Sequence, residues 1–161
     1  MIGIGLRVYS NSKIYYTIIN ETDDEYIYLT TSHLKIPIAL NEPERLNYVR
    51  NTLLDIVDEY NIESALIRVQ ELMYGVTETT IQRFYVEGVI LETLAGGNIS
   101  NYKLGKIATI TSLLKIEPGD FKKFADNVKQ FDLLPDDLSW KDFCLEERES
   151  ILACHASLNL K

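Results

Sequence analysis

The chain has 161 residues, of which 46% are hydrophobic and 25% charged, and its net charge at pH 7 is −8. A chain of this size and composition buries a core without a metal or disulfide staple, and no run approaches the roughly 18 apolar residues of a membrane span. The acidic charge disfavours broad nucleic-acid affinity, because phosphate binding depends on lysine and arginine. We expect a single domain over residues 1–161, cytoplasmic and without a membrane segment.

Three strands are predicted first in the chain. Ile2–Val8 is a short apolar run, and Lys13–Ile19 and Tyr26–Thr31 are rich in isoleucine, tyrosine and threonine. These residue types favour strands, and the polar turn between the second and third runs favours a hairpin. The opening of the chain is therefore predicted to be an antiparallel three-strand meander.

A long helix and an isolated strand follow. Asn41 can cap the helix, and Glu44 stands at the spacing of a capping box. Apolar residues then recur at helical intervals as far as Tyr60, which marks the face that packs on a sheet. Ser64–Val69 is a brief apolar run typical of a central strand, and a helix followed by such a strand favours a crossover with parallel pairing.

Four more elements are predicted in the rest of the chain. They are a helix over Thr79–Ala95, a fifth strand over Thr111–Ile116, a short helix over Pro118–Lys129 and a last helix over Ser139–Leu158. Gly88 falls on the apolar stripe of the first of these helices, so it is expected to let that helix approach the sheet closely.

This order of elements resembles the ribonuclease H-like superfamily, and within it the RuvC-type resolvase branch. Ile2-Gly3-Ile4-Gly5 resembles the opening Ile-Gly-Ile-Asp of that branch, with Gly5 where the first catalytic aspartate would stand. Ala65–Arg68 resembles the fourth-strand run, in which a glutamate follows the isoleucine; here Arg68 and Val69 occupy that neighbourhood. The resemblance implies a five-stranded mixed sheet, an antiparallel meander plus two parallel strands, flanked by helices.

The resemblance also implies a chemistry that this chain lacks the residues to perform. In such nucleases acidic oxygens hold two divalent cations, which activate water and stabilise the leaving oxygen. Gly5 cannot bridge cations, and Arg7 and Arg68 would bring positive charge to the site. We therefore predict that the nuclease site has been lost, that no cofactor is needed, and that the domain is a binding or regulatory subunit in a nucleic-acid-processing or phage-related assembly.

A divergent nuclease using Mg²⁺ or Mn²⁺ is the alternative. Its catalytic and metal-binding carboxylates would be Glu71, just beyond the fourth strand, together with Glu147 and Glu149; Glu146 would be a further metal ligand. Glu147 lies within the apolar stripe of the last predicted helix and is expected to face inward. The resemblance instead selects Glu146 and Glu149, because Glu146–Ala153 resembles the Asp-x-x-Asp opening of the final helix in that branch, with glutamates in place of the aspartates. Glu87 is expected to face solvent.

Basic residues are concentrated in one part of the chain, where nucleic acid could bind. Asn101–Lys129 holds six lysines against three acids, so the Lys103–Lys129 region has a surplus of positive charge. The candidate binding residues are Arg7, Arg68, Lys115, Lys122 and Lys123. A third hypothesis is a homodimer without nucleic acid, joined through a sheet edge or the tyrosine-rich hairpin.

Overall fold

A computed structural model describes residues 1–23, 25–71 and 75–160. Its five strands form one sheet in the order β3-β2-β1-β4-β5. The strands are β1 (Ile2–Ser10), β2 (Lys13–Glu21), β3 (Tyr26–Lys35), β4 (Ser64–Arg68) and β5 (Asn101–Gly105). The first three strands pair antiparallel, whereas β4 pairs parallel to β1 and β5 pairs parallel to β4. The predicted fold class is confirmed.

Helices cover both faces of this sheet. They are α1 (Glu42–Tyr60), α2 (Glu78–Gly96), α3 (Ile107–Leu114), α4 (Asp120–Ala125) and α5 (Leu145–Ser157), with a 3₁₀ turn at Trp140–Asp142. On one face α1 and α2 pack over a core that includes Ile4, Leu6 and Val8 of β1. On the other face α3, α4 and α5 build a second core around Phe121 and Trp140. No helix among the described residues is long and apolar enough to cross a membrane.

The first helix has the predicted start. The Asn41 side chain accepts a hydrogen bond from the Glu44 N–H at 3.1 Å, and the Glu44 carboxylate accepts from the Asn41 N–H at 3.0 Å. These reciprocal bonds satisfy donors that a helix start leaves without partners. Val49, Leu53 and Val57 are buried on the face that was expected to pack on the sheet.

The predicted position of the fifth strand is wrong. The sequence predicts a strand over Thr111–Ile116, yet α3 runs to Leu114 and the fifth strand is Asn101–Gly105. This part of the chain forms a helix and not a strand because the helical spacing buries Ile110 between the sheet and α5. The true strand lies at the sheet edge with Tyr102 exposed, so it carries no apolar run to reveal it.

The buried face of α2 is also not the predicted one. Gly88 is exposed, and no atom lies within 4 Å of the position that a Cβ would occupy, so it does not bring the helix closer to the sheet. Val86, Ile90 and Leu94 are buried instead. The prediction failed because this inward face also carries charged side chains, which a hydrophobic pattern does not count.

The last helix is shorter than predicted, and its acids are oriented differently. The prediction is an unbroken helix from Ser139 to Leu158, but the 3₁₀ turn ends at Asp142 and α5 begins only at Leu145. Residues 148–157 of α5 are all buried, so no single apolar stripe marks the inward face of this helix. Glu149 is buried within this segment, whereas Glu147 lies in the first turn of α5.

Helix α5 lies directly on β1 because two positions of the strand have no side chain. A Cβ at Gly5 would overlap the carbonyl oxygen of Ser150 and the amide nitrogen of Cys154. The Cys154 thiol also donates to the Gly3 carbonyl oxygen at 3.2 Å. Backbone-to-backbone contact of this kind is the close approach for which glycine is needed.

We expect Gly5→Ala to destabilise the fold by about 3 kcal/mol or more, because backbone atoms of α5 cannot rotate away from the added methyl group. Gly88→Ala is the matched control, since its methyl group enters open space in a helix interior and should stabilise by about 0.5–1 kcal/mol. Urea unfolding followed by circular dichroism measures both. Equal stability of Gly5→Ala and the wild type would contradict the packing described here.

Acid is expected to weaken the fold through His155. The ring is buried among aromatic side chains and lies 2.7 Å from the Tyr28 hydroxyl oxygen, and burial lowers the pKa of the imidazole to about 3. A histidine whose folded pKa is below its unfolded value of about 6.5 contributes stability above that value and loses it as pH falls. Between pH 7.5 and 5.5 the loss should be about 1.4 kcal/mol.

Urea titrations across that pH range measure the effect as the difference between the wild type and His155→Gln. Leu94→Ala controls for lost packing, because it removes buried apolar atoms on the opposite face while keeping His155. In this control the free energy of unfolding should change with pH as it does in the wild type. If His155→Gln also showed the wild-type change, His155 would not be the source of the acid sensitivity.

Candidate functional site

Two arginines lie side by side at the end of the central parallel pair. Arg7 of β1 and Arg68 of β4 are register partners. Arg7 follows Gly3 and Gly5 on the face covered by α5, since alternate residues of a strand point the same way. The helix fills the space over the glycines, so position 5, where the resemblance has a catalytic aspartate, has no room for a side chain. Arg7, two residues further along, is the next side chain on that face.

Glu149 holds the two arginines together. The Arg7 Nε–H donates to Glu149 Oε2, and Arg68 Nε lies 3.8 Å from Glu149 Oε1. The side chains of Arg7, Arg68 and Glu149 are 14%, 7% and 8% exposed, so this Arg7–Glu149–Arg68 triad is largely shielded from water. One carboxylate therefore serves two guanidinium groups.

Further contacts fix the position of Arg68. Its Nη1 donates to the Val69 carbonyl oxygen, and its Nη2 lies 3.9 Å from Glu71 Oε2. The guanidinium carbon is 5.4 Å from the centre of the Phe121 ring. Glu71 itself accepts a hydrogen bond from the Ile107 N–H at 3.2 Å, which ties the end of β4 to the start of α3.

These groups line one cavity of about 350 Å³. Its walls are Arg7, Arg68, Gln70, Glu71, Arg83, Ile107, Phe121, Lys122, Ala125, Asp126, Leu145 and Glu149. The cavity opens beyond the carboxyl end of β4, the part of an α/β sheet where ligands commonly bind. We call it the arginine cavity.

A second buried ion pair supports the arginine cavity from α2. The Arg83 Nε–H donates to Glu87 Oε1 at 2.9 Å, and Arg83 Nη1 donates to the Gln70 side-chain oxygen at 2.6 Å. Burial raises the pKa of Glu87 to about 7, against the opposing effects of the Gln70 N–H and the charges of Arg7 and Arg68. The expectation that Glu87 faces solvent is wrong, because its inward side chain pairs with Arg83 one helical turn away.

The structure brings together only part of the predicted acidic set. Glu71 and Glu149 line the arginine cavity, whereas Glu146 and Glu147 do not. Glu147 was expected to face inward, but it belongs to the capping box of α5, where its Oε2 accepts from the Cys144 N–H at 2.8 Å. Glu146 is half-buried in the first turn of α5, a position where an acid stabilises the helix dipole.

The predicted basic residues are divided in the same way. Lys122 lines the arginine cavity with Arg7 and Arg68. Lys123 instead lies 2.9 Å from Asp120 Oδ1, and Lys115 is exposed at the end of α3. Part of the positive surplus of the Lys103–Lys129 region is thus compensated locally.

Sequence reasoning missed Arg83 and Gln70. Arg83 and Glu87 stand four residues apart in a predicted helix, a spacing that typically forms a surface pair. The signal was therefore present in the sequence, but the spacing alone does not show that the pair is buried.

The residues of the arginine cavity do not fit a pair of divalent cations. Among the described residues, no group of three or more histidine, cysteine, aspartate or glutamate side chains could hold a metal ion. Glu149 and Glu71, the two predicted ligands in the cavity, each lie within 4 Å of an arginine nitrogen. Hard cations require free carboxylate oxygens, and here guanidinium groups engage those oxygens.

Five strands in this order, with helices on both faces, define a ribonuclease H-like fold. No family model and no curated protein matches the chain. Solved structures do match: Thermus thermophilus RuvC in complex with a Holliday junction substrate has 10% identity and a TM-score of 0.70, over 99% of this chain and 94% of that one. T. thermophilus RuvC in a second structure gives a TM-score of 0.68 at 10% identity, with the same coverage. The yeast mitochondrial Holliday junction resolvase Ydc2 gives 0.55 at 14% identity, over 98% of this chain and 77% of that one.

The chain therefore has the ribonuclease H-like fold of the RuvC branch, as its order of elements predicts. At 10% to 14% identity this likeness concerns the fold and does not transfer residue roles.

We expect Glu149→Gln to destabilise the protein by about 3 kcal/mol or more, because it removes the carboxylate that pairs with Arg7 and leaves Arg68 with only the more exposed Glu71, 3.9 Å away. Glu146→Gln, three residues away in the same helix and outside the arginine cavity, should cost about 0.5 kcal/mol through the helix dipole. Chemical denaturation of the two variants tests this difference. A similar loss of unfolding free energy in both variants would show that the buried triad contributes little to stability.

Proposed function

We propose that this protein is a ribonuclease H-like domain, over residues 1–161, that has lost its metal-dependent nuclease site and acts as a cytoplasmic binding or regulatory subunit of a nucleic-acid-processing or phage-related assembly. The Arg7–Glu149–Arg68 triad is the observation that carries the proposal. It lies at the end of the β1–β4 pair, two residues beyond Gly5, where the resemblance has the first catalytic aspartate.

Electrostatics explains why the triad opposes metal binding. Two unit charges 4 Å apart interact by about 4 kcal/mol at the effective dielectric constant near a protein surface, and a doubly charged ion doubles that energy for each arginine. Glu149 and Glu71 together only balance the two guanidinium groups, which leaves no net negative charge among them to attract a divalent ion. Moving either arginine away would require breaking buried ion pairs.

The binding part of the proposal is supported by fold and by local charge. The RuvC structure with a Holliday junction is of a protein with the same fold. In this chain Lys122 stands at the arginine cavity, and Lys103 and Lys106 are exposed near the same edge of the sheet. A net charge of −8 restricts any contact with nucleic acid to such a local basic surface, and leaves acidic surface for a protein partner or a second copy.

Calorimetric titration with Mn²⁺ tests the loss of the metal site. We expect no stoichiometric binding by the wild type, and no cleavage of branched, duplex or single-stranded DNA with Mg²⁺ or Mn²⁺, because both candidate carboxylates are held by arginines. Stoichiometric binding that Glu71→Gln abolishes would overturn the proposal and restore the nuclease hypothesis. Glu147→Gln is the matched control, since Glu147 lies outside the arginine cavity and should leave any metal response unchanged.

A further inference from the structure

The charges around the arginine cavity are close to balanced, whereas the protein as a whole is acidic. Four basic residues, Arg7, Arg68, Arg83 and Lys122, line the cavity with three acids, Glu71, Asp126 and Glu149, and Glu87 pairs with Arg83. The chain as a whole carries a net charge of −8. An anion therefore meets less repulsion in this cavity than over the acidic remainder of the surface.

Two buried donors on the walls of the cavity lack an acceptor. Arg68 Nε and Arg83 Nη2 have no hydrogen-bond partner among the described residues. The two arginines are each only 6% exposed. An unpartnered buried donor costs about 1–3 kcal/mol, more when charged, so a bound acceptor that reached these donors would stabilise the site.

The walls hold the donors in place for a ligand. Phe121 packs against the Arg68 guanidinium, and Ile107 and Leu145 add apolar lining. The cavity volume of about 350 Å³ lies within the usual range for small-ligand sites, about 300–1,000 Å³. Lys122 is exposed, so it can receive a charged group from solvent.

We propose that the arginine cavity binds a phosphate group without a metal ion, with Arg7, Arg68 and Lys122 facing its oxygens. A phosphate carries several strong acceptor oxygens, and the planar fork of arginine matches that geometry. Arg7, Arg68 and Lys122 come from β1, β4 and α4, so basic groups line the cavity from three elements of the fold. This inference rests on the proposed function, because it needs the arginines and not cations to occupy the site.

Titration calorimetry in the presence of EDTA and at low ionic strength tests the proposal, with inorganic phosphate as one probe and a short single-stranded oligonucleotide as the other. Lys122→Ala should weaken phosphate binding about tenfold, the loss expected for one charge-assisted hydrogen bond. Lys123→Ala is the matched control: the two lysines are neighbours on α4 and both exposed, but Lys123 does not line the cavity. It should bind phosphate like the wild type.

The two probes separate the sources of the phosphate. Competition between phosphate and the oligonucleotide for the Lys122-dependent site would identify a nucleic-acid backbone as the ligand, whereas binding of phosphate alone would identify a small phosphorylated molecule. Absence of phosphate binding, or equal weakening by Lys122→Ala and Lys123→Ala, would overturn the inference. If neither phosphate nor Mn²⁺ binds, the phosphate inference fails and the proposed loss of the nuclease site stands. Stoichiometric Mn²⁺ binding would overturn both the inference and the proposed function.

Discussion

The contact between α5 and β1 at Gly5 determines the geometry of the site. With no side chain at this position, the helix backbone lies against the strand, and the first turns of α5 come within reach of the next residue on that face, Arg7. Glu149 meets Arg7 and Arg68 for this reason. Any residue with a Cβ at position 5 would push the helix away and separate the carboxylate from its arginines. Packing and electrostatics are therefore linked through a single glycine.

Two buried ion networks of different composition surround the arginine cavity. In the triad, two arginines share one carboxylate, whereas Arg83 pairs with a single glutamate, Glu87, whose pKa burial raises to about 7. Near neutral pH the second network is thus close to losing its negative charge. As pH falls, Glu87 is protonated and the net charge around the cavity becomes more positive. An anion is then attracted more strongly.

The first four strands and the first two helices could be predicted from the sequence because they depend on local signals. The capping box at Asn41 and the apolar run of β4 are examples. The incorrect predictions, for β5, α2 and α5, have physical causes that lie outside the local sequence. Edge strand β5 has no buried face to impose a pattern, and α2 turns charged residues inward. Helix α5 is buried all round from residue 148 to residue 157, so helical periodicity favoured Glu147 over Glu149, and only the family resemblance selected Glu149.

The fluorescence of one buried tryptophan reports on one side of the sheet. Trp140, the single tryptophan of the chain, is buried against Phe131 and Phe143, and its indole N–H donates to the Phe124 carbonyl oxygen at 2.9 Å. All of these residues belong to the layer that also supplies Glu149. Emission from this indole therefore senses the hydration and packing of the α4–α5 layer, and is insensitive to events confined to the opposite layer formed by α1 and α2.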